Sequence, residues 1–112
     1  MFIDQVQDTV ILSQANDPYS VFLSEFKSAY HKWNSYHIII NLESIHKLKN
    51  EELTELLPFV EQQMEHQKSF VIVSDSISYD DAPSALIIVP TIQEAKDVIE
   101  MENIERDLGL WN

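Results

Sequence analysis

The residue types that do chemistry in proteins are present in this sequence, but few of them share a spacing that builds a site. The histidines lie far apart, with no HxH or HxxxH pair of the kind that ligates zinc: His31, His37, His46 and His66. Surface or cap positions are expected for them. Cysteine is absent, which excludes thiol nucleophiles, iron–sulfur clusters and thiolate zinc sites. We therefore expect neither a metal nor a cofactor.

Serine and carboxylate chemistry finds little more support. A serine nucleophile needs a base and an oxyanion hole, and no G-x-S-x-G elbow is present. With one glycine, Gly109, the chain cannot form a P-loop or a dinucleotide-binding turn. The carboxylates of Asp75, Asp80 and Asp81 could act as acid and base or bind a divalent ion, but no glycine-centred calcium loop surrounds them. Their serine-rich neighbours favour a solvated loop, so we expect no catalytic residues and no enzyme.

The charge balance limits the class of partner. Nineteen acidic residues against seven basic ones give a net charge of −12. This field repels nucleic acid and anionic membranes, so neither is expected as a partner. Another protein with a basic face would be attracted, although the acidity can equally serve solubility alone. The first eight residues do not resemble a signal peptide and no apolar run is long enough to span a bilayer, which predicts a cytoplasmic protein.

The elements that must position any site follow from the hydrophobic pattern. The length of 112 residues suits one domain, residues 1–112. Apolar and β-branched runs predict strands over residues 9–12, 37–42, 70–74 and 85–89. Helical patterns between and after these strands predict a layered α/β fold with a mostly parallel sheet of four to five strands and amphipathic helices.

Three helical segments carry apolar stripes. In the first, which Asn16, Asp17 and Pro18 are expected to begin, the stripe is Phe22, Phe26, Tyr30 and Trp33. The second begins at an Asn50 cap, and its stripe is Leu53, Leu56, Leu57, Val60 and Met64. Pro58 predicts a kink or a break within it.

The third helix is expected to begin with a capping box of Thr91 and Glu94 and to end near Gly109. Its buried face comprises Ile92, Ala95, Ile99 and either Ile104 or Val98.

The segment 41–57, NLESIHKLKNEELTELL, resembles the central motif of the STAS (sulfate transporter and anti-sigma factor antagonist) family. In that motif an Asp-Leu-Ser strand end leads into Asp-Ser-Ser-Gly-Leu-Gly and a leucine-rich helix. Asn41 and Leu42 align with the family's Asp-Leu, and Ile45 and Leu48 align with its apolar pair. The leucines of the family's helix correspond to Leu53, Leu56 and Leu57. Residues 87–100, IIVPTIQEAKDVIE, are similar to the family's final strand and helix. The resemblance covers the chain from about Thr9 onward and implies a STAS-like fold.

The resemblance also implies a function, that of a regulatory, non-enzymatic domain which binds another protein through the start of the second helix. The residues carried over as the contact surface are Ser44, His46, Lys47, Lys49, Asn50, Glu51 and Glu52. The family's phosphoacceptor serine or threonine is Asn50 here, so phosphorylation switching is predicted to be absent. The carboxylates of Glu51 and Glu52 either hold a state like the phosphorylated one or belong to an ordinary helix start.

Two alternatives arise from the same comparison. Some STAS relatives are thought to bind small molecules or lipids, which would place a pocket between the aromatic helix and the sheet. A receiver domain has a similar topology, but Asn41 stands where its phosphoacceptor aspartate should be, and Val89 and Pro90 stand in the region of its lysine. We therefore set the receiver domain aside.

The link between the third and fourth predicted strands is short. It spans residues 75–84, where the STAS family carries a helix, whereas a parallel crossover usually takes about a dozen residues. A single helical turn would suffice, or the last strand is displaced or antiparallel.

Overall fold

The computed structural model describes residues 1–44, 48–77 and 82–111 and shows an α/β fold on a five-stranded sheet. The strands lie in chain order, β1 to β5, with the bounds Phe2–Val6, Thr9–Ser13, His37–Asn41, Phe70–Val73 and Ile87–Val89. β1 pairs antiparallel with β2, and the other neighbouring strands pair in parallel. The helices of the described residues are α1 Tyr19–Trp33, α2 Asn50–Thr54, α3 Leu57–Glu65 and α4 Ile92–Asp107. The predicted fold class is confirmed.

The sheet is covered on both faces because successive side chains of a strand point to opposite sides. On one face α1, α2 and α3 pack over a core that includes Val10, Ile38, Ile40, Phe70 and Ile72. On the other face α4 packs over Ile11, Ile39, Val71 and Val73. No helix in the described part of the chain is long and apolar enough to cross a membrane.

The aromatic stripe of α1 seals this helix to the sheet, as predicted. Phe22, Phe26 and Tyr30 are buried, and Trp33 is partly buried. The ring of Phe26 meets those of Phe59 and Phe70 edge to face, with centroids 4.9 and 6.0 Å apart. The helix begins later than its expected cap, with Pro18 in the cap position and no side chain capping it.

The second helical segment is broken, as Pro58 predicts. α2 ends at Thr54 and α3 begins at Leu57, which places Pro58 in the first turn, where a backbone N–H has no helical partner to lose. The restart changes which side chains face inward. Gln63 is fully buried and Met64 is 54% exposed, so the prediction that Met64 belongs to the buried stripe was wrong.

β1 was missed in the sequence because its five residues are all exposed and give no core pattern. It joins β2 through a two-residue turn in which Gln7 takes a φ of +56°, a left-handed conformation that favours glycine.

The last strand is parallel to β4, so the antiparallel alternative was wrong. In the described parts of the link, Ile77, Ala82 and Leu86 pack on the α1 side of the sheet. This crossover therefore passes over the same face as the two preceding ones.

α4 begins and ends as predicted. The Thr91 hydroxyl accepts a hydrogen bond from the Glu94 N–H at 3.2 Å. Gly109, at φ +74°, follows the helix as its left-handed terminator. Val98 is partly buried and Ile104 is exposed, so the buried face continues through Val98.

Replacement of Gln63 by leucine should destabilise the fold. The Tyr30 hydroxyl donates to Gln63 Oε1 at 2.7 Å, and Gln63 Nε2 donates to the Tyr36 carbonyl at 2.7 Å. Gln63→Leu leaves the buried Tyr30 hydroxyl and the part-buried Tyr36 carbonyl without this partner, so the free energy of unfolding in urea should fall by about 1–3 kcal/mol. The exposed control Gln62→Leu should stay within about 0.5 kcal/mol of wild type. An unchanged value for Gln63→Leu would show that the bridge contributes nothing net.

Candidate functional site

The predicted contact residues lie where β3 ends and α2 begins. We call residues 44–52 the β3–α2 surface. Ser44, Lys49 and Glu51 are exposed, and Glu52 is partly buried. His46 and Lys47, together with the side chain of Asn50, lie outside the described residues. The four described side chains of the predicted set therefore occupy the two ends of one surface segment.

A network of side chains from the ends of β2 and β3 holds the first end of this surface. Asn41 Nδ2 donates to the Ser13 hydroxyl at 3.2 Å, and Asn41 Oδ1 accepts from the Glu43 N–H at 3.1 Å. The Ser44 hydroxyl donates to Gln14 Oε1 at 3.3 Å. These bonds use both ends of the Asn41 amide to fix the turn after β3.

The second end of the surface is held against α1. The Tyr19 hydroxyl donates to the backbone carbonyl of Glu52 at 3.1 Å. Burial raises the pKa of Tyr19 well above its usual range, and the carboxylates of Glu55 and Glu52 raise it further. Tyr19 therefore stays a neutral hydrogen-bond donor that ties α2 to α1.

The start of α2 differs from the prediction by one position. Asn50 is the first helical residue, and Lys49, not Asn50, occupies the cap. The Glu52 carboxylate accepts from the Lys49 N–H at 3.4 Å, which is the local bond of an ordinary helix start. Because α2 has only five residues, its dipole is small, and Glu51 is the carboxylate that points freely into solvent.

A shallow cavity of about 330 Å³ opens between α1 and α2, beside this surface. Its lining includes buried Leu23 and the ion pair between exposed Lys27 and Glu55, which is 3.2 Å long. In the described residues no three histidine, aspartate or glutamate side chains come together as metal ligands. Asp75 is exposed, while Asp80 and Asp81 of the acidic loop lie outside the described residues.

Large aromatic side chains fill the space between α1 and the sheet, where the ligand-binding alternative would place its pocket. Phe26 is fully buried, and Tyr30 packs edge to face on Phe59 with ring centroids 4.9 Å apart. A cavity of about 360 Å³ lies instead at the β5 edge, and its apolar lining includes Val60, Met64, Phe70, Ile87 and Trp111.

A second polar cluster lies at the amino ends of the parallel strands, on the side of the sheet away from the β3–α2 surface. His37 is only 2% exposed, so the expectation of a surface or cap position was wrong for this histidine. Its Nδ1 accepts from the Ser69 N–H at 3.0 Å, which leaves the proton on Nε2, 3.5 Å from the Asp8 carboxylate. The Ser69 hydroxyl in turn donates to Glu102 at 2.6 Å and accepts from Arg106 at 2.8 Å.

This cluster joins α4 to β3 and β4, and its polar groups bond to one another. The Ser69 hydroxyl is engaged by Glu102 and Arg106, and His37 accepts from the Ser69 backbone N–H, so His37 is not placed to take a proton from the Ser69 hydroxyl. The sequence signal for it was slight: Glu102 and Arg106 are spaced by four residues on the helix face that also carries Ile99.

Comparison of the sequence with protein-family models and with curated proteins assigns no role to either cluster. No protein-family model matches the chain, and no curated protein matches it.

Acidification should destabilise the protein through His37. Burial is the main cause that lowers its pKa in the folded state, and nearby Asp8 only partly opposes this. The pKa of this histidine in the unfolded chain is about 6.5, so below that pH the unfolded chain binds the proton more readily than the folded protein does. The contribution of neutral His37 to stability is therefore fully present above about pH 6.5 and is lost as the pH falls.

Urea unfolding between pH 7.5 and 5 measures this effect. His37→Asn keeps an acceptor for the Ser69 N–H, and its unfolding free energy should fall less steeply with acidification than that of wild type. His31→Asn, at an exposed position of α1, should keep the wild-type slope. Equal slopes for wild type and His37→Asn would contradict the assignment.

Proposed function

We propose that this chain is a non-enzymatic, regulatory STAS-like domain that acts in the cytoplasm and binds another protein through the β3–α2 surface. The observation that carries the proposal is the way polar groups are used there. Asn41 bonds to Ser13 and to the Glu43 N–H, the Ser44 hydroxyl bonds to Gln14, and Tyr19 bonds to the Glu52 carbonyl. Such bonds suit docking at the two described ends of the surface, because the residues there already have fixed partners before binding.

The charge of the chain favours a basic partner. The whole chain carries −12, and Glu43 and Glu51 are exposed near the ends of the β3–α2 surface, with exposed Lys49 between them. Complementary charge raises the rate of encounter and disfavours acidic partners. Asn50 stands at the family's phosphoacceptor position, so binding in this domain is proposed to be independent of phosphorylation.

Charge reversal at the start of α2 tests the proposal. Tagged wild-type protein is used for affinity capture from lysate of the native cell, in parallel with Glu51→Lys and with Glu51→Lys/Glu52→Lys. Recovery of a specific partner should fall by about tenfold or more in both variants, because the acidic contact is replaced by repulsion.

The matched control is Glu61→Lys/Glu65→Lys, which makes the same charge change at exposed positions of α3. It should keep wild-type recovery. The proposal fails if wild type captures no specific protein, or if reversal on α2 and reversal on α3 act alike.

Small-molecule or lipid binding is the second candidate, and the apolar cavity at the β5 edge favours it. Its volume of about 360 Å³ falls within the range of ligand sites, and Lys68 at its lining could meet an acidic head group. The two candidates differ in what a fatty acid should do to the protein.

Tryptophan fluorescence separates these candidates. In the variant Trp33→Phe the remaining tryptophan, Trp111, lines the cavity. The protein-binding proposal expects no saturable change in Trp111 emission on titration with dodecanoate. A saturable blue shift that Ile87→Asp abolishes would favour the ligand-binding candidate.

A further inference from the structure

The side of α4 that faces away from the sheet carries exposed apolar residues, which do not contribute to packing against the sheet. Ala95 and Ile99 already bury the helix against the sheet. Met101, Ile104 and Leu108 are spaced by three and four residues and are 64%, 57% and 70% exposed. On a helix of 3.6 residues per turn this spacing places them on one face, opposite the buried one. We call these three residues the outer stripe of α4.

The stripe is continuous over two helical turns, about 10 Å along the helix axis. Single exposed apolar residues are common on protein surfaces, but adjoining large ones mark places where another molecule binds. Leu110, 65% exposed just beyond the Gly109 terminator, extends the apolar surface at the end of the helix. The structure therefore has an apolar helix face without a partner in the described residues.

The charges beside the outer stripe are all of one sign. Counted at 100° per residue, carboxylates border it on both sides and at its N-terminal end: Asp97, Glu100, Glu105 and Asp107. The two cations of α4 lie elsewhere. Arg106 turns inward to Ser69, and Lys96 lines a cavity beside the β1–β2 turn.

We propose that the outer stripe of α4 binds an amphipathic helix of another protein whose apolar face is flanked by lysine or arginine. Such a helix would place its own apolar residues against Met101, Ile104 and Leu108, and its cations against the bordering carboxylates. A second copy of this chain would set acid against acid, with −12 on each molecule. An anionic bilayer would be repelled in the same way.

This surface is distinct from the β3–α2 surface and does not depend on it. Arg106 near the end of α4 reaches Ser69, which directly precedes β4, so the stripe lies near the amino ends of the parallel strands. The β3–α2 surface lies at their carboxyl ends. The domain could therefore hold two proteins at once.

A designed peptide provides the test. The probe is a fluorescein-labelled peptide of leucine and lysine, about 18 residues long, with leucines at helical spacing. Fluorescence anisotropy measures its affinity for wild type and for Ile104→Gln/Leu108→Gln, a variant that removes apolar surface without changing charge. The double variant should bind at least about tenfold more weakly. The control Val21→Gln, at an exposed apolar position of α1, should bind as wild type does.

Two further arms test the charge requirement and the site. The same peptide with glutamate in place of lysine should not bind, because it meets the carboxylates of α4. In ¹H–¹⁵N spectra of wild type, the shifts caused by the lysine peptide should be confined to the C-terminal half of α4 and the residues after it.

Several results would overturn the proposal. Equal affinity of wild type and Ile104→Gln/Leu108→Gln would mean that general negative charge holds the peptide. Wild-type dimers in analytical ultracentrifugation that the double variant dissociates would make a second copy the occupant. Binding of wild type to phosphatidylglycerol vesicles, lost in the double variant, would make the stripe a membrane contact.

Discussion

The rest of the structure depends on the complete burial of β3. Ile38, Ile39 and Ile40 are 0% exposed, so their backbone N–H and C=O groups cannot be satisfied by water and must pair with strands on both sides. β2 and β4 supply those bonds in parallel. Parallel neighbours require crossovers, and the side chains on each face of β3 require a covering helix. The position of α1 on one face and α4 on the other follows from this one strand.

At both ends of the buried parallel strands, polar groups need hydrogen-bond partners. At the carboxyl ends the solution is a set of short polar side chains, with Asn41 at its centre, which bond locally and leave residues such as Ser44 at the surface. At the amino ends His37 and Ser69 are themselves buried, and Arg106 and Glu102 reach in from α4. The carboxyl ends of the strands therefore present an exposed surface, and the amino ends connect α4 to the sheet.

The order and type of the elements could be predicted because apolar periodicity records burial. The HIIINL run, the Phe22–Phe26–Tyr30 stripe, the break at Pro58 and the cap at Thr91 each carry a local physical signal. β1 carries none, because an exposed edge strand needs no apolar face.

Properties that depend on tertiary contacts were beyond sequence patterns. The inward turn of Gln63 follows from where α3 restarts, and the burial of His37 follows from the approach of Ser69. At the β3–α2 surface Ser44 and Glu51 are exposed, which leaves their predicted role in binding untested, and the cap of α2 is Lys49 instead of the predicted Asn50.

The exposed hairpin strand gives the acidity of the chain a role in colloidal stability. β1 is a five-residue edge without proline, and it leaves Phe2, Ile3 and Val6 in solvent. An unpaired edge of this kind can template strand addition between molecules, and charge is a common gatekeeper against it. Asp4 lies at the middle of β1, so antiparallel self-pairing about that residue would oppose two carboxylates. Near the isoelectric point of about 4.4 the repulsion between whole molecules vanishes, and we expect association of the protein to begin at this edge.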